Sequence, residues 1–156
     1  MRMGYTLEQI LKFSDEEMEL HHNFIQWIFP TSQIGVDAKA PLLDRGLIAA
    51  AKSDPTFCAN MLRSFDKMLS YYGLERKGES VVKGANFESR KKFWLINGKH
   101  NLLRMTRMIT SMGKLGLKKE ARAFAECIIR VHDRGEISGL GNSVGYWMQA
   151  MVDHTS

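Results

Sequence analysis

The stretch DPTFCANMLRSFDKMLSYYG, residues 54–73, constrains this chain more than any other, because it carries its own start, stop and inward face. Asp54 ahead of Pro55 opens a helix: the proline ring pre-sets φ, and its missing N–H falls where no intrahelical bond would form. Gly73 closes it in the left-handed conformation that glycine adopts without steric cost. Between them, Phe57, Met61, Leu62, Phe65, Met68, Leu69 and Tyr72 share one face, and Asn60, Arg63, Asp66, Lys67 and Ser70 occupy the other. Helical spacing recurs in nearly every other segment, and no alternating run of Val, Ile or Thr signals a strand. The expected fold class is all-α, a single domain over residues 1–156 with about six to eight helices.

Other boundaries follow from capping chemistry. Ser14 with Glu17 reads as a capping box that starts a helix running from about Asp15 to Phe29, with Pro30 as its stop. Thr6 with Gln9 repeats the pattern for a shorter helix ending near Phe13. Residues 30–43 and 76–85 read as loops, the first carrying two of the three prolines and the second the polar run RKGESVVKG. Asp44 caps a helix through Ala51, Asn86 starts a basic one, and Asn97–Gly98 end it. From about His100 to Lys114, Leu102, Met105, Ile109 and Met112 fall within about 80° of arc. His100, Arg104, Arg107, Ser111 and Lys114 fall opposite. Gly116 breaks that helix, a further one spans about Lys118 to His132, and a last one starts near Ser143.

Composition narrows the class. Of 156 residues, 44% are hydrophobic and 25% charged, proportions of an ordinary globular chain. The longest apolar runs are far shorter than the roughly 20 residues that span a bilayer, and the N-terminus lacks the apolar core of a secretory signal. Two cysteines, Cys58 and Cys127, are too few for a disulfide framework and suit a reducing compartment. The expectation is an intracellular, cytoplasmic protein. The net charge of +5 divides into −3 over residues 1–60 and +8 over residues 61–156, with eleven basic against two acidic residues between Lys83 and Arg122. Such a stretch is either an attractor for an anionic partner or a solvated face paired with the acidic N-terminal helix.

Candidate chemistry is sparse. His21 and His22 are adjacent and point about 100° apart on a helix, so they do not grip one ion in the HExxH manner. His21 reads as a core histidine bonded to a backbone carbonyl, and His22 lies at the polar border. His100 shares a face with Arg104 and Arg107, where two guanidiniums and an imidazole would clamp phosphate or carboxylate oxygens; an exposed basic face is the plainer reading. Cys58 and Cys127 read as packed thiols. No phosphate-binding loop or nucleophile elbow is present, and GLGNSVG follows no expected strand. Trp27, Trp94 and Trp147 and the ten methionines read as core, or as an adaptable groove for a peptide helix. No catalytic constellation, metal site or cofactor is expected.

The stretch YTLEQILKFSDEEMELHHNFIQWIFP resembles the start of the conserved domain of the opioid growth factor receptor family. The resemblance continues through APLLD at Ala40–Asp44, MLRSFDKMLSYYGLE at Met61–Glu75, HNLLRMTRMITSMGKLGL at His100–Leu117 and YWMQAM at Tyr146–Met151. It implies a stand-alone version of that domain, without the repeat-bearing tail of the vertebrate members. The family's name comes from a vertebrate receptor for an enkephalin peptide that restrains proliferation, is associated with the nucleus and is unlike the seven-helix opioid receptors. The resemblance supplies no catalytic residues. Its strongest motifs fall on His22, Trp27 and Pro30 in HNFIQWIFP, and on His100, Asn101, Arg104 and Arg107 in HNLLRMTR.

Three functions compete. The first is a non-catalytic, receptor-like domain that takes a peptide or small anionic ligand through His100, Asn101, Arg104, Arg107 and Lys114, with His22, Trp27 and Trp94 nearby. The second is a nucleic-acid binder using Lys91, Lys92, Lys99, Arg104, Arg107 and Lys114. The third is an enzyme or metal protein built on His22 and His100.

Overall fold

Capping residues set where the chain first becomes helical. The computed structural model describes residues 5–21, 23–32, 39–96, 98–137, 140 and 143–152. Helices α1 (Leu7–Leu11) and α2 (Asp15–Leu20) both open with a closed capping box. Thr6 Oγ1 accepts from the Gln9 N–H while Gln9 Oε1 accepts from the Thr6 N–H, and Ser14 and Glu17 repeat the exchange. The helix expected from Asp15 to Phe29 is two helices. The backbone turns extended at His21 (φ −87°, ψ 105°), and α3 (Phe24–Ile28) begins afterwards. His22 lies outside the described residues. The break frees the last carbonyls of α2 from intrahelical bonding, and a side chain elsewhere takes them up.

Asp44 caps α4 (Arg45–Lys52) by accepting from the Leu47 N–H at 2.8 Å. Asp54 caps α5 (Pro55–Tyr72) through the N–H groups of Thr56 and Phe57. The expected loop 76–85 is largely a hairpin, so the fold is mainly helical but not all-α. Strands β1 (Leu74–Lys77) and β2 (Ser80–Lys83) pair antiparallel, from Leu74 with Lys83 to Lys77 with Ser80. Gly78 turns it with φ +60°. The strands lack the alternation that marks a half-buried sheet, because only Leu74 and Val81 are buried. Tertiary contacts hold the hairpin instead. Arg76 makes a bidentate pair with Asp66 of α5, at 2.6 and 2.8 Å, and Lys83 pairs with Glu136 at 2.6 Å.

Helices α6 (Phe87–Ile96), α7 (Gly98–Lys114), α8 (Lys118–Asp133) and α9 (Ser143–Val152) complete the chain. The described residues thus hold nine helices against the six to eight expected, the split at His21 adding one. Helix α7 runs through the middle, packed on α8 and α9 and, from another side, on α3. Met105, Met108, Ile109 and Met112 are buried along it. An aromatic cluster joins α5, α6 and α8: Tyr72 lies edge-on to Trp94 at 5.5 Å and stacks on Phe124 at 6.1 Å, and Phe124 meets Phe65 edge-on. The indole N–H groups of the buried tryptophans are satisfied, Trp94 on the Tyr72 carbonyl and Trp147 on Thr106 Oγ1.

Gly73 ties α5 to the rest. Its φ is +79°, and a Cβ there would stand 2.7 Å from the Cα of Phe87, a backbone atom that cannot step aside. Left-handed strain and overpacking act together, so Gly73→Ala should lower stability by about 2–5 kcal/mol. Urea unfolding followed by far-UV circular dichroism measures it.

Candidate functional site

The polar face of α7, expected to lie open as a clamp for an external anion, is turned onto the protein's own backbone. Residues three and four apart on a helix project from one side, so Arg104 and Arg107 reach in the same direction. That direction is the N-terminal helices. Arg104 Nη2 donates to the Met18 carbonyl at 2.7 Å and to the His21 carbonyl at 2.9 Å, the end of α2. Arg107 Nε donates to the carbonyl of Phe29, the C-cap of α3, at 2.9 Å, and its Nη2 reaches the Gln26 carbonyl at 3.5 Å. Lys114 Nζ donates to Ser32 Oγ at 2.8 Å. Helix ends present carbonyls without intrahelical partners, and cations suit them.

Burial separates the two arginines. Arg104 is only 3% exposed, and its guanidinium lies 5.0 Å from the Phe24 ring centroid and 6.0 Å from that of Tyr71. Burial holds its pKa below the ordinary arginine value, against the opposing pull of Tyr72 and Glu19. Arg107 is half-buried, and burial again lowers its pKa. The buried Tyr72 phenol is pushed well above its ordinary range, chiefly by desolvation, so its hydroxyl stays protonated.

The remaining candidates scatter. Asn101 is fully buried, and its Nδ2 donates to the Trp94 carbonyl at 3.1 Å, so it serves α6. Trp94 is enclosed in the aromatic cluster, and Trp27 is half-buried in α3. His100 is half-buried one turn before Arg104. His21 faces Tyr5 and stacks on Phe13, with ring centroids 5.0 Å apart in the second contact. Cys127 is buried, which raises its thiol pKa, and the half-buried Cys58 points its Sγ at the Ala51 carbonyl. Among the described residues no three His, Cys, Asp or Glu side chains converge as a metal site. No helix searched is long and apolar enough to cross a membrane.

One residue the sequence reading passed over belongs with this face. Arg90 of α6 is 7% exposed, and its Nε donates to the Tyr71 carbonyl at 2.8 Å. Its position among Phe87, Phe93 and Trp94 was the available signal, since a cation inside an aromatic run is either exposed or bonded within.

Within the basic stretch, the outward-facing cations without an ion pair among the described residues are Lys92 on α6 and a group on α8. Lys119 and Arg122 are exposed and Lys118 partly so, and none forms an ion pair with a described residue. Beside them a cleft opens between the hairpin turn and the start of α8. Phe65, Val81 and Ala123 supply apolar lining, and Arg76, Glu79, Ser80, Lys119 and Glu120 supply polar groups.

Comparisons with known proteins agree across this whole region. The model of the opioid growth factor receptor conserved region matches residues 4–153. The opioid growth factor receptor of Mus musculus is 34% identical over 122 residues, which are 74% of this chain and 19% of the receptor. The Homo sapiens receptor is 34% identical over 121 residues, 74% of this chain and 18% of that protein. Opioid growth factor receptor-like protein 1 of Mus musculus is 30% identical over 118 residues, 72% of this chain and 25% of its own length. The chain therefore spans a quarter or less of these relatives. No solved structure matches it significantly.

Removing Arg104 leaves two helix-end carbonyls buried without their donor. Arg104→Ala should cost about 3–5 kcal/mol and the half-buried Arg107→Ala about 1–2 kcal/mol. Urea denaturation gives both values, and hydrogen exchange should show the loss concentrated in residues 15–29.

Proposed function

The chain belongs to the opioid growth factor receptor conserved-region family, and from that premise we propose that it is a non-catalytic binding domain for an anionic peptide. The contact surface is the outward face of α8 and the cleft beside it, rather than the polar face of α7. One observation carries this reading: most cations of the basic stretch are engaged by their own chain, and apart from Lys92 on α6 the exposed, unpaired ones gather on α8. Arg90, Arg104 and Arg107 direct donors at carbonyls of their own chain, and Lys114 is held by Ser32. Lys118, Lys119 and Arg122 form no ion pair with a described carboxylate. An anionic partner in solution meets the unpaired cations first.

The cleft adds chemistry that charge alone lacks. Its apolar lining comes from the buried Phe65 and Val81 and the half-buried Ala123, which suits a small apolar side chain, and Lys119 suits one carboxylate beside it, while Glu79 and Glu120 of the same cleft oppose further negative charge. A short peptide offers both groups together. The name of the related proteins, receptors for a growth factor, favours a ligand-binding role in general.

Nucleic acid is the second reading, and the geometry narrows it. Of the residues expected to serve it, Arg104 and Arg107 are engaged by backbone carbonyls and Lys91 pairs with Glu88 at 2.9 Å. Phosphate contacts would fall to the exposed Lys92 and the same α8 cations, with a steep salt dependence as their mark.

Titration with an acidic peptide that carries two glutamates, a free C-terminal carboxylate and one apolar side chain tests the proposal. Charge reversal of all three residues, K118E with K119E and R122E, should weaken binding about tenfold, as three exposed charge contacts would. Circular dichroism should stay unchanged. No binding by the unaltered protein, or equal affinity in the reversed variant, overturns it. Binding of single-stranded RNA or duplex DNA that falls steeply with salt, with no peptide binding, transfers the surface to nucleic acid.

A further inference from the structure

Around the ring of Tyr71 the structure gathers more buried polar atoms than its own bonds satisfy. Tyr71 is fully buried, and two guanidiniums lie over its ring, Arg90 at 5.0 Å and Arg104 at 6.0 Å from the centroid. Among the described residues its hydroxyl has no hydrogen-bond partner. Neither do Arg104 Nε and Nη1, Arg90 Nη2 or Glu19 Oε2, all of them buried. These atoms come from four elements that meet here: Glu19 from α2, Tyr71 from α5, Arg90 from α6 and Arg104 from α7.

The carboxylates match the guanidiniums. Asp15 and Glu19 lie four residues apart and so share a face of α2. Asp15 Oδ2 stands 3.4 Å from Arg90 Nη1, and Glu19 acts electrostatically on Arg104 without closing a direct bond to it. Two positive and two negative groups balance, so a buried anion would add uncompensated charge and a neutral molecule would not. The open atoms also call for both hydrogen-bonding roles. The guanidinium N–H groups only donate, the carboxylate only accepts, and the phenol does either. Water accepts from the first and donates to the second, and buried waters commonly make about three such bonds.

We propose that one or more internal waters, bound between Arg104, Glu19 and the Tyr71 hydroxyl and reaching towards Arg90, complete this network. These waters couple α2 to α6 and α7 where no direct side-chain bond from Glu19 does. They add a solvent-mediated tie to the direct ones that Arg104 and Arg90 already make to α2.

A crystal structure of the full chain at a resolution that shows ordered solvent, paired with oxygen-17 relaxation dispersion in solution, tests this. Expected are solvent peaks within hydrogen-bond distance, about 3 Å, of Arg104 Nη1 or Nε and of Glu19 Oε2. Tyr71→Phe, which removes only the hydroxyl, should lose at least one long-lived water while far-UV circular dichroism is retained. Glu19 rotated into a direct bidentate pair with Arg104, with no solvent between, overturns the proposal. So does an anomalous peak at this place after bromide soaking, which would make it an anion site. An unchanged count of long-lived waters in a folded Tyr71→Phe variant also overturns it. If that variant fails to fold, the crystal structure of the unaltered chain decides the matter.

Discussion

A guanidinium held inside the protein by backbone carbonyls is the contact from which the arrangement of the N-terminal half follows. Arg104 is almost wholly buried, and its acceptors are the carbonyls of Met18 and His21. A buried cation is tolerable only with strong hydrogen bonds and a polarisable surround. Here the carbonyls at the end of α2 supply the first, and the rings of Phe24 and Tyr71 the second. Lysine would not replace it well, because a compact ammonium lacks the planar fork that reaches two carbonyls while lying against aromatic faces. The break at His21 and the buried arginine explain one another. A continuous helix would direct those carbonyls along its own axis, and Arg104 would then lack acceptors.

The same logic orders the charge distribution. A run of eleven basic residues between Lys83 and Arg122 looks like one electrostatic footprint, but the fold divides it by depth. Arginines on α6 and α7 act as staples, with Arg90 on the Tyr71 carbonyl, Arg104 on the end of α2 and Arg107 on the end of α3. Lys119 and Arg122 of α8 stay in solvent, as does Lys92 of α6, while Arg130 of α8 donates to the Val81 carbonyl. Long-range attraction of an anion depends on exposed charge, since buried charge is largely compensated by its own partners. The surface proposed for binding lies on α8, outside the motif HNLLRMTR.

The hairpin shows tertiary contacts overriding local preference. LERK has little strand character and SVVK has two valines but no apolar/polar alternation, yet they pair in full register across Gly78. Leu74 and Val81 reach the core, and Arg76 and Lys83 anchor the polar edges to Asp66 and Glu136. The hairpin in turn forms one wall of the cleft next to Lys119.

Features set by contacts within a few residues were legible in the sequence. Capping boxes at Thr6 and Ser14, aspartate caps at Asp44 and Asp54, the glycine stop at Gly73 and the helical core stripes all stand where the residues imply. Each is fixed by hydrogen bonds or dihedral preferences spanning three or four positions, which sequence spacing encodes directly. The direction of the α7 polar face, the break at His21 and the pairing of β1 with β2 were decided only by the tertiary structure. Arg104 meets carbonyls more than eighty positions away, and nothing in its neighbours tells whether a polar helix face looks at water or at orphaned carbonyls. An amphipathic pattern separates apolar from polar, and helix ends make polar interiors possible; which of the two a basic face meets is settled by packing alone.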